Sequence, residues 1–164
     1  GVIKKNKNTI SFVYLDVILL NKTKSHIEKL KKIFETTNRI ISLYKPDEIA
    51  IEAPFFGKNP QSMLKLGRAQ GAAIIASAIN NIPTIEYAPK KIKLAITGNG
   101  KSSKEQVAGM LINMLRLQKK PKYLDATDGL AAAVCHALQN DALIQNKKES
   151  WSQFIKSNPN RINL

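Results

Sequence analysis

The chain has 164 residues, 43% of them apolar, which suits one globular domain with a sizeable core and leaves no apolar run long enough to span a bilayer. Lys and Arg number 26 against 12 Asp and Glu, a net charge of +14 that favours a polyanionic partner, with nucleic acid ahead of an anionic membrane; lysine use on solvated faces is the plainer reading of the same excess. The single cysteine, Cys135, excludes an intrachain disulfide, and no secretory signal pattern is visible, so a cytoplasmic setting is expected.

Residues 1 to 5, "GVIKK", read as a short strand, and the β-branched run "TISFVYLDVILL" at 9 to 20 reads as its hairpin partner. From Ser25 to Tyr44 the apolar residues Ile27, Leu30, Ile33, Phe34, Ile40, Ile41 and Tyr44 recur at helical spacing, and Pro46 stops the helix. "DEIAIEA" at 47 to 53 predicts a strand, and 59 to 81 predict a long helix with Pro60 in its first turn. "IPTIEYAP" at 82 to 89 predicts another strand, followed by a short helix over 90 to 96 and a flexible glycine loop, "TGNGKSS", at 97 to 103. A helix is expected over 102 to 117, with Ser102 and Glu105 as its capping box, and a last one over Leu124 to Leu138. A hairpin followed by alternating helix and strand implies an α/β fold whose mixed sheet is antiparallel at first and parallel afterwards. Residues 1–140 form the predicted domain and 141–164 a polar extension, in which Trp151, Phe154 and Ile155 either dock on the body or fray.

Acids are scarce, so their placement is informative. Asp16 lies in the hairpin strand, Asp47 and Glu48 in a turn, and Glu28, Glu35 and Glu105 among lysines on helices, where solvated ion pairs explain them. Glu52 ends the apolar strand "EIAIE", and ligands of open α/β sheets gather at the carboxyl ends of parallel strands; the first exposed residue after a strand is the bland alternative. Asp125 and Asp128 stand three apart in "YLDATDGLAAAVCHAL" and share one helix face. As caps, they would aim their oxygens at the helix's own N–H groups. As metal ligands, they would aim them at a cation that other acids also reach. Hydrolysis of a phosphodiester needs an activated water and a stabilised leaving oxygen, which two Mg²⁺ ions about 4 Å apart can supply through carboxylate ligands. "TGNGKSS" lacks the spacing of a phosphate-binding Walker loop. His26 is expected to be exposed, Cys135 to be buried, and His136, about two turns beyond Asp128, to stay outside the chemistry.

The stretches "IAIEAPFFGKNPQSMLKLGRAQGAAI", "YAPKKIKLAITGNGKSSKEQV" and "DATDGLAAAVCHA" resemble the RuvC family of Holliday junction resolvases, in the right order and over most of residues 1 to 138. The resemblance implies an RNase H-like fold and a homodimer that nicks two opposing strands of a four-way DNA junction. It implies Mg²⁺ or Mn²⁺, two ions per active site, and work beside the RuvA–RuvB branch-migration machine. Position by position, Glu52, Asp125 and Asp128 match the family's catalytic, metal-holding acids. Phe55 matches an aromatic that contacts the open junction, and Lys93 and Lys104 match basic residues near the scissile phosphate. Lys58, Lys65, Arg68, Lys90 and Lys101 are further candidates for DNA contact. The helix from about 60 to 80 matches the dimer-forming element, with Gly67, Ala69, Gly71, Ala72, Ile74 and Ile75 at the expected interface; burial inside one subunit is the alternative for its small residues.

There is one departure. The family carries a fourth acid in a first strand ahead of "GVI", and this chain opens at Gly1 with neither. The expected fold is therefore α/β and RNase H-like, a mixed central sheet flanked by helices, without that first strand. A non-catalytic basic nucleic-acid-binding module and a nuclease acting on RNA–DNA hybrids are the competing readings. On this reading residues 1–164 alone should cleave four-way junctions weakly or not at all. Mg²⁺-dependent junction cleavage by that chain measures this, and robust turnover would overturn it.

Overall fold

A computed structural model describes residues 1–7, 9–20, 25–54, 59–118, 121 and 123–146. Strands β1 (Val2–Asn6) and β2 (Thr9–Tyr14) form an antiparallel hairpin. Helix α1 (His26–Tyr44) leads to β3 (Ile49–Glu52), α2 (Pro60–Ile79) to β4 (Thr84–Tyr87), and α3 (Pro89–Thr97), α4 (Lys104–Met114) and α5 (Leu124–Asn146) follow. β3 and β4 pair in parallel, with Ile49 opposite Thr84 and Glu52 opposite Tyr87. Antiparallel and parallel pairing both occur as expected, but the described strands make two two-stranded sheets and not one continuous mixed sheet. Both sheets rest on α5.

Local chemistry sets the helix ends. The Ser25 hydroxyl accepts from the Glu28 amide while the Glu28 carboxylate accepts from the Ser25 amide, so α1 begins one residue later than the apolar pattern suggests. It closes on Lys45 in the left-handed conformation. Asn59 caps α2 through the Ser62 amide, with Pro60 just inside. The capping box of α4 is Ser103 with Gln106, not Ser102 with Glu105. Ser102 is unavailable because it is buried, with its hydroxyl 2.8 Å from that of Thr97. The expected flexible loop is correspondingly well held: Asn99 accepts from the Lys101 amide, and Gly98 turns the chain at φ 74°. α5 runs past Leu138 to Asn146, because "QNDALIQN" contains neither Gly nor Pro to stop it. It therefore crosses residue 140 unbroken, and Trp151, Phe154 and Ile155 lie outside the described residues.

The core forms where α5 meets its neighbours. Leu130, Ala131, Val134 and Cys135 pack with Ile92 and Ile96 of α3, Val107 and Leu111 of α4, and Tyr87 of β4, while Ile3, Ala50 and Ile85 approach from the strands. Cys135 is fully buried, as its alanine-rich setting suggests. His26 departs from its expected exposure: it is half-buried, and its Nε2 has no hydrogen-bond partner.

Candidate active site

Three elements converge at the carboxyl end of the parallel pair. β3 delivers Glu52, and the Ala53 amide donates to the Tyr87 carbonyl at 2.8 Å, pinning the strand end beside β4. α5 delivers Asp125 and Asp128 from its first two turns, because Ala126, Thr127, Leu130 and Ala131 take the buried side. α4 delivers Lys104 at its first position. The Lys104 ammonium donates to Asp128 Oδ2 at 2.8 Å and stands 3.6 Å from Asp125 Oδ1.

That geometry separates the two meanings of the aspartate pair. Among the described residues the hydrogen bonds and ion pairs of Asp125 and Asp128 go to Lys104, not to the amides of their own helix. Their oxygens face a cation across a helix–helix gap. Charge is correspondingly coupled. Loss of hydration against the strand ends, and then the negative charge of Asp128, raise the Glu52 carboxyl above its ordinary range, although part of it remains open to solvent; Lys104 and Lys93 pull the other way. The hydrogen bond to Asp128 is the main reason that Lys104 holds its proton more tightly than usual.

The donor set suits a hard divalent cation: three carboxylates, no sulfur, and a side-chain cation already drawn between two of them. Among the described residues no three Asp, Glu, His or Cys side chains close on one point as they stand, since Lys104 fills the space between the aspartates.

The other candidates distribute unevenly. Lys93 is half-buried on α3, near enough to act on Glu52. Lys90 and Lys101 are exposed, and Gly100 passes close to Lys90, where an added Cβ would lie 2.7 Å from Lys90 Cγ and 3.2 Å from its carbonyl oxygen. Only glycine lets the loop cross so close to α3. Lys65 and Arg68 lie exposed on α2, with no described contact to the carboxylates. Phe55 and Lys58 fall outside the described residues. Gly67 and Ile75 are exposed on α2, while Gly71 and Ile74 are half-buried. Sequence reasoning missed one polar cluster, Tyr87 with His136 and Glu48; its members are scattered along the chain, and only the fold brings them together.

The family model described as "Crossover junction endodeoxyribonuclease RuvC" matches residues 1–136. A protein of that name from Christiangramia forsetii is 56% identical, over 99% of this chain and 85% of its own length. One from Bacteroides fragilis is 53% identical, over 99% of this chain and 88% of its own. The Thermus thermophilus RuvC structure superposes with a TM-score of 0.75 at 25% identity, covering 86% of each chain. The same organism's RuvC in complex with Holliday junction substrate superposes with a TM-score of 0.78 at 27% identity, covering 85% of this chain and 86% of that one.

The raised Glu52 carboxyl sets a testable pH dependence. The folded protein binds this proton more tightly than the unfolded chain, so the stability it contributes is complete below the ordinary carboxylate range and is lost as pH rises through the raised value. Glu52→Gln should therefore unfold at a higher temperature than the parent at neutral pH without metal, with the difference vanishing in acid. Calorimetry in chelator from about pH 4 to about pH 8 checks it. Metal affinity should move oppositely, rising with pH in the parent as the carboxylate forms.

Proposed function

The chain belongs to the RuvC family, and we propose that it resolves Holliday junctions by metal-dependent hydrolysis of DNA phosphodiesters, in homologous recombination and repair, through a site built on Glu52, Asp125 and Asp128. The observation that supports the site reading is Lys104 held between Asp125 and Asp128 near the carboxyl end of β3, with Glu52 close enough to feel Asp128, Lys104 and Lys93. The family is one of metal-dependent nucleases; Mg²⁺ or Mn²⁺, two ions per site, is the assignment that best suits all-carboxylate donors.

Glu52, Asp125 and Asp128 would hold the metal. When bound, it supplies an activated water and charge stabilisation at the leaving oxygen. The chain's own residues do the rest. Lys104 neutralises the aspartates until another cation does so, and its ammonium is then free for the scissile phosphate. Lys104 also opens α4, whose first amides suit a phosphate oxygen. Lys93 adds positive charge from the flank. Lys58, Lys65, Arg68, Lys90 and Lys101 extend the track for the phosphate backbone, in keeping with the net charge of +14. Phe55 stacks at the crossover, where unpaired base faces are available. Residues 1 to about 140 carry this nuclease unit, which works in the cytoplasm beside RuvA–RuvB; no described helix is long and apolar enough to cross a membrane.

The partner across α2 is a second copy of the chain. Leu64, Gly67, Gly71 and Ile75 follow one another along one face of α2, and Leu64, Gly67 and Ile75 are exposed. Among the described residues, a Cβ on Gly67 or Gly71 would meet nothing within 4 Å, so no described contact calls for glycine there. Each glycine costs the helix about 1 kcal/mol relative to Ala, which a close approach between two copies of α2 would offset.

Two outcomes follow. In the intact protein Asp125→Asn should lower junction cleavage at least about 100-fold, because it removes a metal ligand. Junction affinity in chelator should stay within about twofold, since no positive charge is lost. Single-turnover cleavage and gel-shift titration measure the two, and a variant that no longer folds would restore the cap reading. Gly71→Leu should weaken self-association at least about tenfold without lowering the helix content. Sedimentation equilibrium reads the first and circular dichroism the second; an unchanged dimer would remove α2 from the interface.

A further inference from the structure

One polar chain, buried at Tyr87 and His136 and open to solvent at Glu48, is left unused by the chemistry above. The Tyr87 hydroxyl lies 2.7 Å from Nδ1 of His136, and Nε2 of His136 lies 2.8 Å from Glu48 Oε2. Tyr87 is 6% exposed and the His136 side chain 13%. An ionised Glu48 can only accept, so Nε2 carries a proton, and Nδ1 of the neutral imidazole accepts from the Tyr87 hydroxyl. Both ring nitrogens are satisfied, and the ring cannot turn without breaking one of these bonds. Lys91 Nζ, 5.1 Å from the centre of the Tyr87 ring, covers the phenol.

Three elements meet here. Glu48 immediately precedes β3, Tyr87 ends β4, and His136 lies about two turns beyond Asp128 on α5. Tyr87 is also the register partner of Glu52. Paired residues of neighbouring strands point to the same side of the sheet, so one rung presents an acid to the start of α5 and a phenol to its middle. The buried apolar side chains along this part of α5 are Leu130, Ala131, Ala132, Val134, Cys135 and Ala137, four of them small. Small, smooth side chains resist sliding weakly, and a helix displaced by one residue moves about 1.5 Å and turns about 100°. Hydrogen bonds with narrow distance and angle limits resist both.

We propose that Tyr87, His136 and Glu48 form a clasp that fixes the axial position and rotation of α5 on β3 and β4, and thereby the spacing of Glu52 from Asp125 and Asp128. His136 is its central positioning residue and touches neither substrate nor reacting atoms. The inference rests on the carboxylate site described above and adds the part of the fold that sets its dimensions.

The test uses the intact protein, with each variant measured at a temperature where it is fully folded. Tyr87→Phe keeps the ring and loses one hydroxyl, His136→Leu loses both bonds, and His136→Gln keeps one donor and one acceptor. Mn²⁺ binding without DNA is read by titration calorimetry, junction binding in chelator by gel shift, and cleavage as separate kcat and KM. Tyr87→Phe and His136→Leu should weaken Mn²⁺ binding and lower kcat by about 10- to 100-fold, the range found for residues that orient metal ligands. KM and chelator binding should stay within about twofold, and His136→Gln should recover most of the loss. Wild-type Mn²⁺ affinity and kcat in folded Tyr87→Phe would reduce the clasp to a stabiliser of the fold, even if His136→Leu failed to fold. Glu52→Gln, measured alongside, separates the two levels. If it abolishes Mn²⁺ binding while the clasp variants do not, the clasp alone is wrong; if it also leaves binding unchanged, the carboxylate site and the clasp both fall.

Discussion

Helix α5 has to satisfy the core and the site with one rotation about its axis. Thr127, Leu130, Ala131 and Val134 turn inward, and the adjoining stripe carries Asp125 and Asp128 towards Lys104 and the end of β3. Because residues three and four apart share a face, the spacing that fills the core also fixes the spacing of the acids. The two cannot be adjusted independently: rotating the helix to improve the packing at Leu130 would swing both carboxylates. Both sheets share this support, since β1 and β3 both lie on α5.

Electrostatics then decides what those acids are for. Asp125 sits in the first turn of α5, where the helix dipole favours a negative charge by about 0.3–1 kcal/mol. Position at a helix start explains why an acid is tolerated, and the direction of its oxygens shows that capping is not its task. Lys104 makes the complementary case. A lysine at the first position of α4 lies at the wrong end of that dipole. Its ammonium is drawn there by Asp128 and Asp125, so the pair of helices holds opposite charges against their common surface. In a chain of net charge +14, loss of hydration and then the charge of Asp128 still make Glu52 hold its proton longer than an ordinary carboxylate. Local proximity outweighs the distant excess of lysine because exposed charges are screened beyond about 10 Å of salt solution.

Much of this was legible in the order of residues. The strand that ends in Glu52, the three-residue spacing of the aspartates and the helix that Pro46 stops can all be read from patterns a few residues long. What was hidden depends on competition between equally good local patterns, or on distance along the chain. Ser102 with Glu105 and Ser103 with Gln106 are both acceptable boxes, and only the engagement of Ser102 with Thr97 selects the second. The glycines of "TGNGKSS" suggest freedom, yet Gly100 is present because Lys90 leaves no room for a side chain. His136 looks like an incidental polar residue two turns past Asp128, since its partners are 49 and 88 residues away.

Those distant partners explain how a helix lined with alanines can hold its acids in place. α5 is gripped at its start by Lys104, and further along by two polar contacts at neighbouring residues. The Lys5 ammonium of β1 donates to the Ala137 carbonyl, and Tyr87 and Glu48 take the two nitrogens of His136. The antiparallel hairpin and the parallel pair thus hold the same turn of the helix from different sides. About 11 residues separate this point from Asp125, a lever of about 16 Å, so a small rotation at the grip is carried undiminished to the acids along a stiff rod. Apolar burial makes α5 adhere to the sheets; the directional bonds at 136 and 137 determine where along them it rests.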